Sequence, residues 1–465
     1  MKTKMLKYAA IALLWAGSIS SCKTHEDLGT AEPDEIDATI IMTAKGAQNG
    51  RLLIRMNGTD SVTIHWGDGT PGETFALTTS EYYDLFWHTY PDPSVVYTIK
   101  ITGNNITRLS VPGGLQEGFR NGTVMSLDVS RCIELIHLEC TDSRLTNLDV
   151  SKNILLKYLY CYMNELTNLD LRNHTELTTL SCGSNQLTSL DLSNNEKLTH
   201  LICQANRLSR LDVSNNTELT YLWCSRNLLT DLDLSKNTKI YQLECPNNQL
   251  KGLNIKECTD LLYLYCNNNS LTSLDVSQNI ALKVLSCQDN QLMGLDLSQN
   301  TELACLNCSN NQLTDLDVRL HTDLDELFCS NNQLTNLDIS QNTALGALNC
   351  SNNQLTNLDV SQNTELAHLF CAYNQLTVLD VSKNTALTRL NCRNNQLSVV
   401  DVSKNEKLFV LNIQANNLST EALNSLFEML PSGSGGYHDL HIGNNPGTDD
   451  CNKSIAENKG WIFFD

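Results

Sequence analysis

Thirteen cysteines stand 21 residues apart, beginning with Cys140, Cys161 and Cys182 and ending at Cys392. A regular row of thiols admits three chemistries: a chain of disulfides, a metal site or a redox relay. Each makes a geometric demand. Residues repeated at one position of a stacked coil carry parallel Cβ vectors, which hold neighbouring sulfurs in poor torsional geometry for a disulfide. Zinc sites draw on pairs roughly two to four residues apart, and a row at one-coil spacing offers no tetrahedral arrangement. The substitutions point elsewhere. The next position of the row is Ile413, and the matching position of the other half of each repeat is Val, Leu or Ile. The row therefore asks for a modest apolar filler, a part that buried free cysteine plays well. Cys305-Leu306-Asn307-Cys308 has the spacing of a redox pair. Residues i and i+3 of a strand face opposite sides, however, and no helix N-terminus is at hand to lower a thiol pKa. Cys132 and Cys258 replace corner residues of the repeat and Cys451 lies beyond it; no role follows for any of them.

An aspartate row accompanies the thiols and includes Asp149, Asp170, Asp191, Asp212 and Asp233, with Asn254 as a break. Like charges stacked at coil spacing repel unless hydrogen bonds compensate, and Ser151, Ser193 and Ser214 stand two residues on as donors. Calcium is the alternative, but it needs about six converging oxygens, so structural capping is the preferred reading. The positions flanking each ladder cysteine carry the variety: Tyr158, Tyr160 and Tyr162 in one coil, Tyr221 and Trp223 in another, Tyr263 and Tyr265 in a third, then Phe328 and Phe370. On a strand these side chains point away from the core and form an exposed aromatic surface, the mark of a binding face. Outward strand positions also favour aromatics by β propensity alone, and the sequence does not separate the two. His137, His200 and His368 share that face but lie several coils apart. No G-x-S-x-G, P-loop, H-E-x-x-H or carboxylate pair stands out, so neither catalysis, a metal nor a cofactor is expected. The formal charge of −20 repels phosphate backbones and anionic headgroups, which argues against nucleic acid, and it suits basic partners.

The elements that position these residues follow from the period. From near Val124 to Asn417 a 21-residue unit repeats without insertion or deletion for about 14 turns, with the consensus L-T-x-L-D-V-S-x-N-T-x-L-x-x-L-x-C-x-x-N-Q. A fixed short period is the signature of a solenoid, in which no single coil can bury its apolar face alone. Both halves of the unit contain L-x-φ, where φ is apolar, the alternation of a short strand. Two short strands per coil are therefore expected, with the polar S-x-N and x-x-N segments turning the corners. An asparagine row runs from Asn164, Asn185, Asn206 and Asn227 to Asn416, with Ser143 as its departure. Before the solenoid, Ile36 to Asn121 alternates like β structure, as in SVTIHW (61–66) and VVYTIKITG (95–103), and Asp68-Gly69 suits a tight turn. After it, STEALNSLFEMLP (419–431) has helical spacing with Ser419 or Thr420 as N-cap, followed by a strand in YHDLHIG and a second helix near 448–459. Solenoids need caps over their end coils; residues 418–465 suit one end, and the N-terminal β domain the other. At the start, MKTKMLKYAAIALLWAGSISSC has a lysine-bearing head and an apolar run too short to span a bilayer, the pattern of a secretory signal.

Three resemblances sharpen this reading. The L-x-x-L-x-C-x-x-N-x-L unit resembles the leucine-rich repeat in its 21-residue cysteine-ladder form, seen in certain internalins and in many Bacteroidetes surface lipoproteins. That resemblance implies L-x-C strands lining a concave face, and an asparagine ladder whose amides hydrogen-bond backbone inside the turn. IHWGDGT, HTY (88–90) and YTIKITG resemble the PKD-like β-sandwich domains of bacterial surface proteins. Ile19-Ser20-Ser21-Cys22 resembles a bacterial lipobox, which implies lipid on Cys22 as the mature N-terminus; the following Thr-His-Glu-Asp resembles an acidic surface-export signal.

The expectation is a β-rich leucine-rich-repeat solenoid preceded by an Ig-like, PKD-like sandwich and closed by a small α/β cap. Its divisions are a lipoprotein signal peptide (1–21), a flexible acidic tether (22–35), the PKD-like domain (36–121), the solenoid (122–417) and the cap (418–465). The expected function is a monomeric, non-catalytic binding protein at the outer membrane or cell surface, touching membrane only through the lipid on Cys22. Its ligand is protein, host-derived molecules included, as in adhesion. The alternative is a glycan-capturing accessory lipoprotein of a carbohydrate-uptake system.

Overall fold

The computed structural model describes residues 39–113, 115–116, 119–120, 122–432 and 438–464. The signal peptide, Cys22 and the acidic tether lie outside the described residues. Two compact units divide the chain, the first ending at Leu156 and the second beginning at Lys157.

The first unit is built on two sheets. Strands β1 (Ile40–Lys45), β2 (Arg51–Gly58), β3 (Ser61–His65), β4 (Glu73–Ala76), β5 (Asp84–Thr89), β6 (Tyr97–Thr102) and β7 (Ile106–Ser110) precede a short hairpin, β8 (Leu115–Gln116) and β9 (Phe119–Arg120). Then come β10 (Thr123–Asp128) and β11 (His137–Glu139). One sheet has the order β10-β1-β6-β3-β4 and is antiparallel throughout. In the other, β2 lies between β5 and β7, again antiparallel. Alternation puts Ile40, Met42, Ala44, Val62, Ile64, Ile99 and Ile101 of the first sheet into the core with Leu52, Ile54 and Met56 of the second.

The three N-terminal motifs meet around Trp66, which is buried. His88 stacks on its ring at 5.0 Å, and the Tyr90 hydroxyl donates to the Trp66 carbonyl at 2.9 Å. Asp68 shapes the turn by accepting from Thr70 N and Oγ1 through Oδ1, while its Oδ2 meets His88 Nε2 at 2.7 Å. Gly67 has φ +82, and a Cβ there would lie 2.3 Å from the Thr98 carbonyl oxygen; the turn needs glycine.

The first coil of the repeat belongs to this unit, and it does not start on an open edge. Strand β7 pairs in parallel with β11, Arg108 to His137, Leu109 to Leu138 and Ser110 to Glu139. The pairing is extended by Val111 N to Glu139 O and Gly113 N to Thr141 O, at 2.8 and 2.7 Å. Residues 106–113 thus reproduce a coil that the 21-residue period does not contain, and they cover an edge that would otherwise template association.

The second unit is a stack of coils, each with one three-residue strand, from Tyr158–Tyr160 to Val410–Asn412. Every strand pairs in parallel with the next at an offset of one repeat, as in Leu180 to Leu201 and Leu201 to Leu222. The expected second strand is absent here: in the described coils of this unit the L-D-V half is turn and extended chain, with a single bridge from Asp233 to Asn254; only the first coil, in the other unit, has a strand there, β10. In this unit the L-D-V alternation buries leucines, but its carbonyls bond elsewhere. Leu192 O receives both Asn195 N and Asn216 Nδ2, so the ladder partners are already taken.

Helix α1 (Thr420–Met429) follows, capped by Ser419, whose side chain accepts from Ala422 N, and it buries Leu423, Leu426 and Phe427. Two strands, His438–His441 and Trp461–Phe463, continue the parallel sheet. The second helix, α2 (Ser454–Glu457), is shorter than the sequence spacing suggests. Asn445 carries the asparagine row into this closing segment, donating to Ile413 O and accepting from Leu418 N.

Candidate binding face

Two asparagine rows set the frame. In the first, Asn185 Nδ2 donates to Cys182 O in its own coil and to Cys161 O in the preceding one, at 3.0 and 2.9 Å, while its Oδ1 accepts from Leu166 N at 3.0 Å. Asn206, Asn227 and the rest of the row to Asn416 repeat this bridge, as the ladder reading expects. The residue before each of them sits in the left-handed region, for example Asn310 at φ 56 and Ala205 at φ 53.

The second row lies at the S-x-N corner. There Asn216 Nδ2 donates to Leu192 O and Asn195 O, at 3.1 and 2.9 Å. The Oδ1 atoms of Asn195, Asn216, Asn237 and Asn279 are buried and accept no hydrogen bond among the described residues. The corner therefore asks for a donor and nothing more. Cys258 meets that demand with its thiol, 3.5 Å from Asn237 O, Cys132 likewise at 3.5 Å from Ile106 O, and His321 through Nε2 at 3.2 Å from Leu297 O. Of the three cysteines left without a role, Cys132 and Cys258 are thiol donors in asparagine positions. A column populated by Asn, His and Cys was the available signal.

The thirteen ladder cysteines are buried thiols that form no disulfides. Burial pushes the thiols of Cys182, Cys224, Cys308 and Cys350 up to about 12, so they stay protonated at neutral pH and are neither nucleophiles nor ready ligands. Cys305 lies on the opposite side of its strand from Cys308, half-buried with Sγ 3.6 Å from Glu326 Oε2. Burial, then the Glu326 charge, raise it to about 12 as well. Cys451 is half-buried and its thiol donates to Thr448 O at 3.3 Å. In the aspartate row, Asp212 Oδ1 accepts from Ser214 N and Oγ at 3.0 and 2.7 Å, and these bonds hold its carboxyl below the usual range.

Either side of each buried strand leucine, the face columns emerge. The proposed aromatics do not form one surface. Tyr158 and Tyr160 flank Leu159, while Tyr162 follows Cys161 in the turn, off the strand. Two coils carrying Thr179, Ser181, His200 and Ile202 then intervene. Phe328 and Phe370 pair with Asn349 between them. The dense group spans three consecutive strands, β15 (Tyr221–Trp223), β16 (Gln242–Glu244) and β17 (Tyr263–Tyr265). Tyr221, Gln242 and Tyr263 form one column and Trp223, Glu244 and Tyr265 the other. All are half-buried rather than fully exposed, because neighbours roughly 4.8 Å away cover each side chain's flanks.

Sequence reasoning ranked the aromatics and missed what stands between them. Glu244 Oε1 accepts from Gln242 Nε2 at 2.7 Å and from the Tyr221 hydroxyl at 3.3 Å. Burial raises the Glu244 pKa despite both bonds, and burial, then the Glu244 charge, raise that of Tyr221. Trp223 Nε1 donates to Ser225 Oγ at 2.5 Å, and His200 stacks against Tyr221 at 6.1 Å. These contacts orient the Tyr221 and Trp223 rings.

No protein-family model and no curated protein matches the chain. Among solved structures, the functional domain of InlJ from Listeria monocytogenes, which includes a cysteine ladder, is 36% identical, with 70% of each chain covered and a TM-score of 0.62. A leucine-rich-repeat protein of Leptospira interrogans is 22% identical over 78% of this chain and 90% of its own, with a TM-score of 0.62. The Arabidopsis receptor kinase HAESA, solved with the peptide hormone IDA and the co-receptor SERK1, is 21% identical over 77% of this chain and 68% of its own, at 0.54. The last two likenesses speak for the fold alone. With the InlJ identity and the ladder geometry together, the chain belongs to the internalin-type leucine-rich-repeat proteins that carry a cysteine ladder.

Proposed function

We propose that the chain is a lipid-anchored, non-catalytic binding protein of the cell surface, and that its strand face recognises a protein ligand. The observation that carries this reading is the group on β15–β17, where four aromatic rings surround a hydrogen-bonded Gln242–Glu244 pair on a rigid parallel sheet. Rigid aromatic anchors beside fixed polar groups are what binding hot spots are made of. The lipobox-like Ile19-Ser20-Ser21-Cys22 supports the anchor, and the W-G-D-G turn with its His88 and Tyr90 contacts supports a PKD-like N-terminal domain. A glycan ligand is the second reading, favoured by the same rings and by the amide and carboxylate between them.

Parallel protein and glycan arrays probed with the full chain and with Tyr221→Ala/Trp223→Ala separate the two. The expected outcome is protein capture that the double variant loses while its thermal melt stays in place; unchanged capture removes this face. Protease shaving of intact cells tests the surface assignment, and full protection sinks it.

A further inference from the structure

We infer that Ser225 is a positioning residue of the binding face, whose hydroxyl sets the Trp223 ring in the orientation that meets the protein ligand. The inference deepens the proposed strand-face function and rests on it.

Ser225 follows the ladder cysteine Cys224 and stands two residues beyond Trp223. In several coils this is the position that holds the outward strand residue. Asn307, Asn349 and Asn391 accept through Oδ1 from the backbone N–H groups of Ser309, Ser351 and Arg393, at 3.2, 3.1 and 3.3 Å. A backbone donor serves whichever non-proline residue follows, so those contacts ask for no particular side chain. The Trp223 coil is different. There the indole Nε1 donates to the Ser225 hydroxyl itself, at 2.5 Å, a partner that only the residue type supplies. Ser286 repeats the side-chain form by donating to Gln288 Oε1 at 2.6 Å.

The carrier of the hydroxyl is fixed. Ser225 is 6% exposed. Its carbonyl accepts from Ala205 N at 2.8 Å and from Asn227 Nδ2 at 3.4 Å, so the preceding coil and the ladder asparagine both tie down its backbone. Leu222 and Cys224 are buried on either side of Trp223, which leaves the indole on the outward side of the strand. A tryptophan side chain turns about two torsions, and a hydrogen bond at the edge of the ring restrains both. Trp223 is therefore oriented before any ligand arrives, and the ordering entropy that a mobile ring would lose on binding is lost already on folding. With its N–H engaged by Ser225, the ring meets the ligand through its apolar face.

The test uses the full chain with tryptophan isotopically labelled at the indole nitrogen and read by NMR. The Trp223 resonance is identified by its loss in Trp223→Phe. Ser225→Ala is expected to shift that resonance and leave the other indole resonances in place. It should also weaken capture of the array protein that the parent chain binds most strongly about three- to tenfold, through faster dissociation. Alanine holds the matching position of another coil as Ala372, and threonine that of the first coil as Thr141. Ser225→Ala should therefore melt with the parent, and Ser225→Thr should restore both the resonance and the capture. An unmoved Trp223 resonance in Ser225→Ala overturns the inference, as does a Ser225→Thr variant that melts with the parent yet restores neither property. Capture that survives Ser225→Ala but is lost in Tyr221→Ala/Trp223→Ala leaves the binding face standing and removes the positioning role. Capture that survives both removes the face itself, and the role of Ser225 with it.

Discussion

A ladder cysteine such as Cys350 is surrounded by leucines and by the cysteines of adjacent coils, so its thiol is valued for volume and for carrying no strong hydrogen-bonding demand. Cys350→Val should then change stability by less than about 1.5 kcal/mol. Cys350→Ser leaves a buried hydroxyl in an apolar place and should cost about 1–3 kcal/mol, read by urea unfolding. The pH dependence follows from the same burial. These folded-state pKa values are raised, to about 12 for Cys350 and Cys308. The stability they contribute is therefore fully present below the ordinary thiol pKa near 9 and is lost as pH rises from there toward 12. Denaturant midpoints measured from pH 8 to 11 should fall steadily; a flat profile would contradict the assignment. At the corner row, where a donor alone is required, Asn237→Cys should be mild and Asn237→Leu should cost about 2 kcal/mol. Equal losses would show that the row needs more than a donor.

Each coil is one strand, two bridged corners and a left-handed residue ahead of the ladder asparagine. Asparagine or aspartate fills that left-handed position in Asn310, Asn331, Asn352 and Asp289, but Ala205, Arg226, Met163 and Tyr373 occupy it too. Those L residues are held there by the coil at a cost of about 1 kcal/mol, which asparagine lowers through local hydrogen bonding. Ala205→Asn should accordingly raise stability by about 0.5–1 kcal/mol, seen as a higher melting temperature with unchanged strand content. The element scale is also where the sequence reading fell short. Alternation at Leu169 and Leu171 matches that at Leu180 and Cys182, yet only the latter half forms a strand. Periodicity reports which side chains are inside; it says nothing of which carbonyls the corner amides have already claimed.

At the scale of the molecule, end protection governs behaviour. Strand β7 covers one edge of β11 inside the first unit, and within the second unit the strands His438–His441 and Trp461–Phe463 extend the sheet beyond its last coil. Removing residues 39–113 should expose the β11 edge and drive concentration-dependent association, visible by light scattering on a sizing column. A truncated chain that stays monomeric would show that the edge is harmless. The pairing was missed in the sequence because Leu109 stands 29 residues, not 21, ahead of its partner Leu138 and Val111 takes the place of the cysteine, although Ile106, Leu109 and Val111 keep the L-x-x-L-x-φ spacing and are buried.

The sequence by itself determined the 21-residue coil, the apolar lining, the filler role of the cysteines and the ladder asparagines, since each depends only on which residue recurs at which position. It also marked Tyr221, Trp223, Tyr263 and Tyr265 as unusual. Only the tertiary structure decided that these four frame Gln242 and Glu244, that Phe328 and Phe370 stand apart, and that Cys132 and Cys258 donate hydrogen bonds in place of asparagine. The physical reason is that a column is written along the chain, whereas a site is made across it. Burial, charge and hydrogen-bond partners come from the neighbouring coils, and those are known only once the coils are stacked.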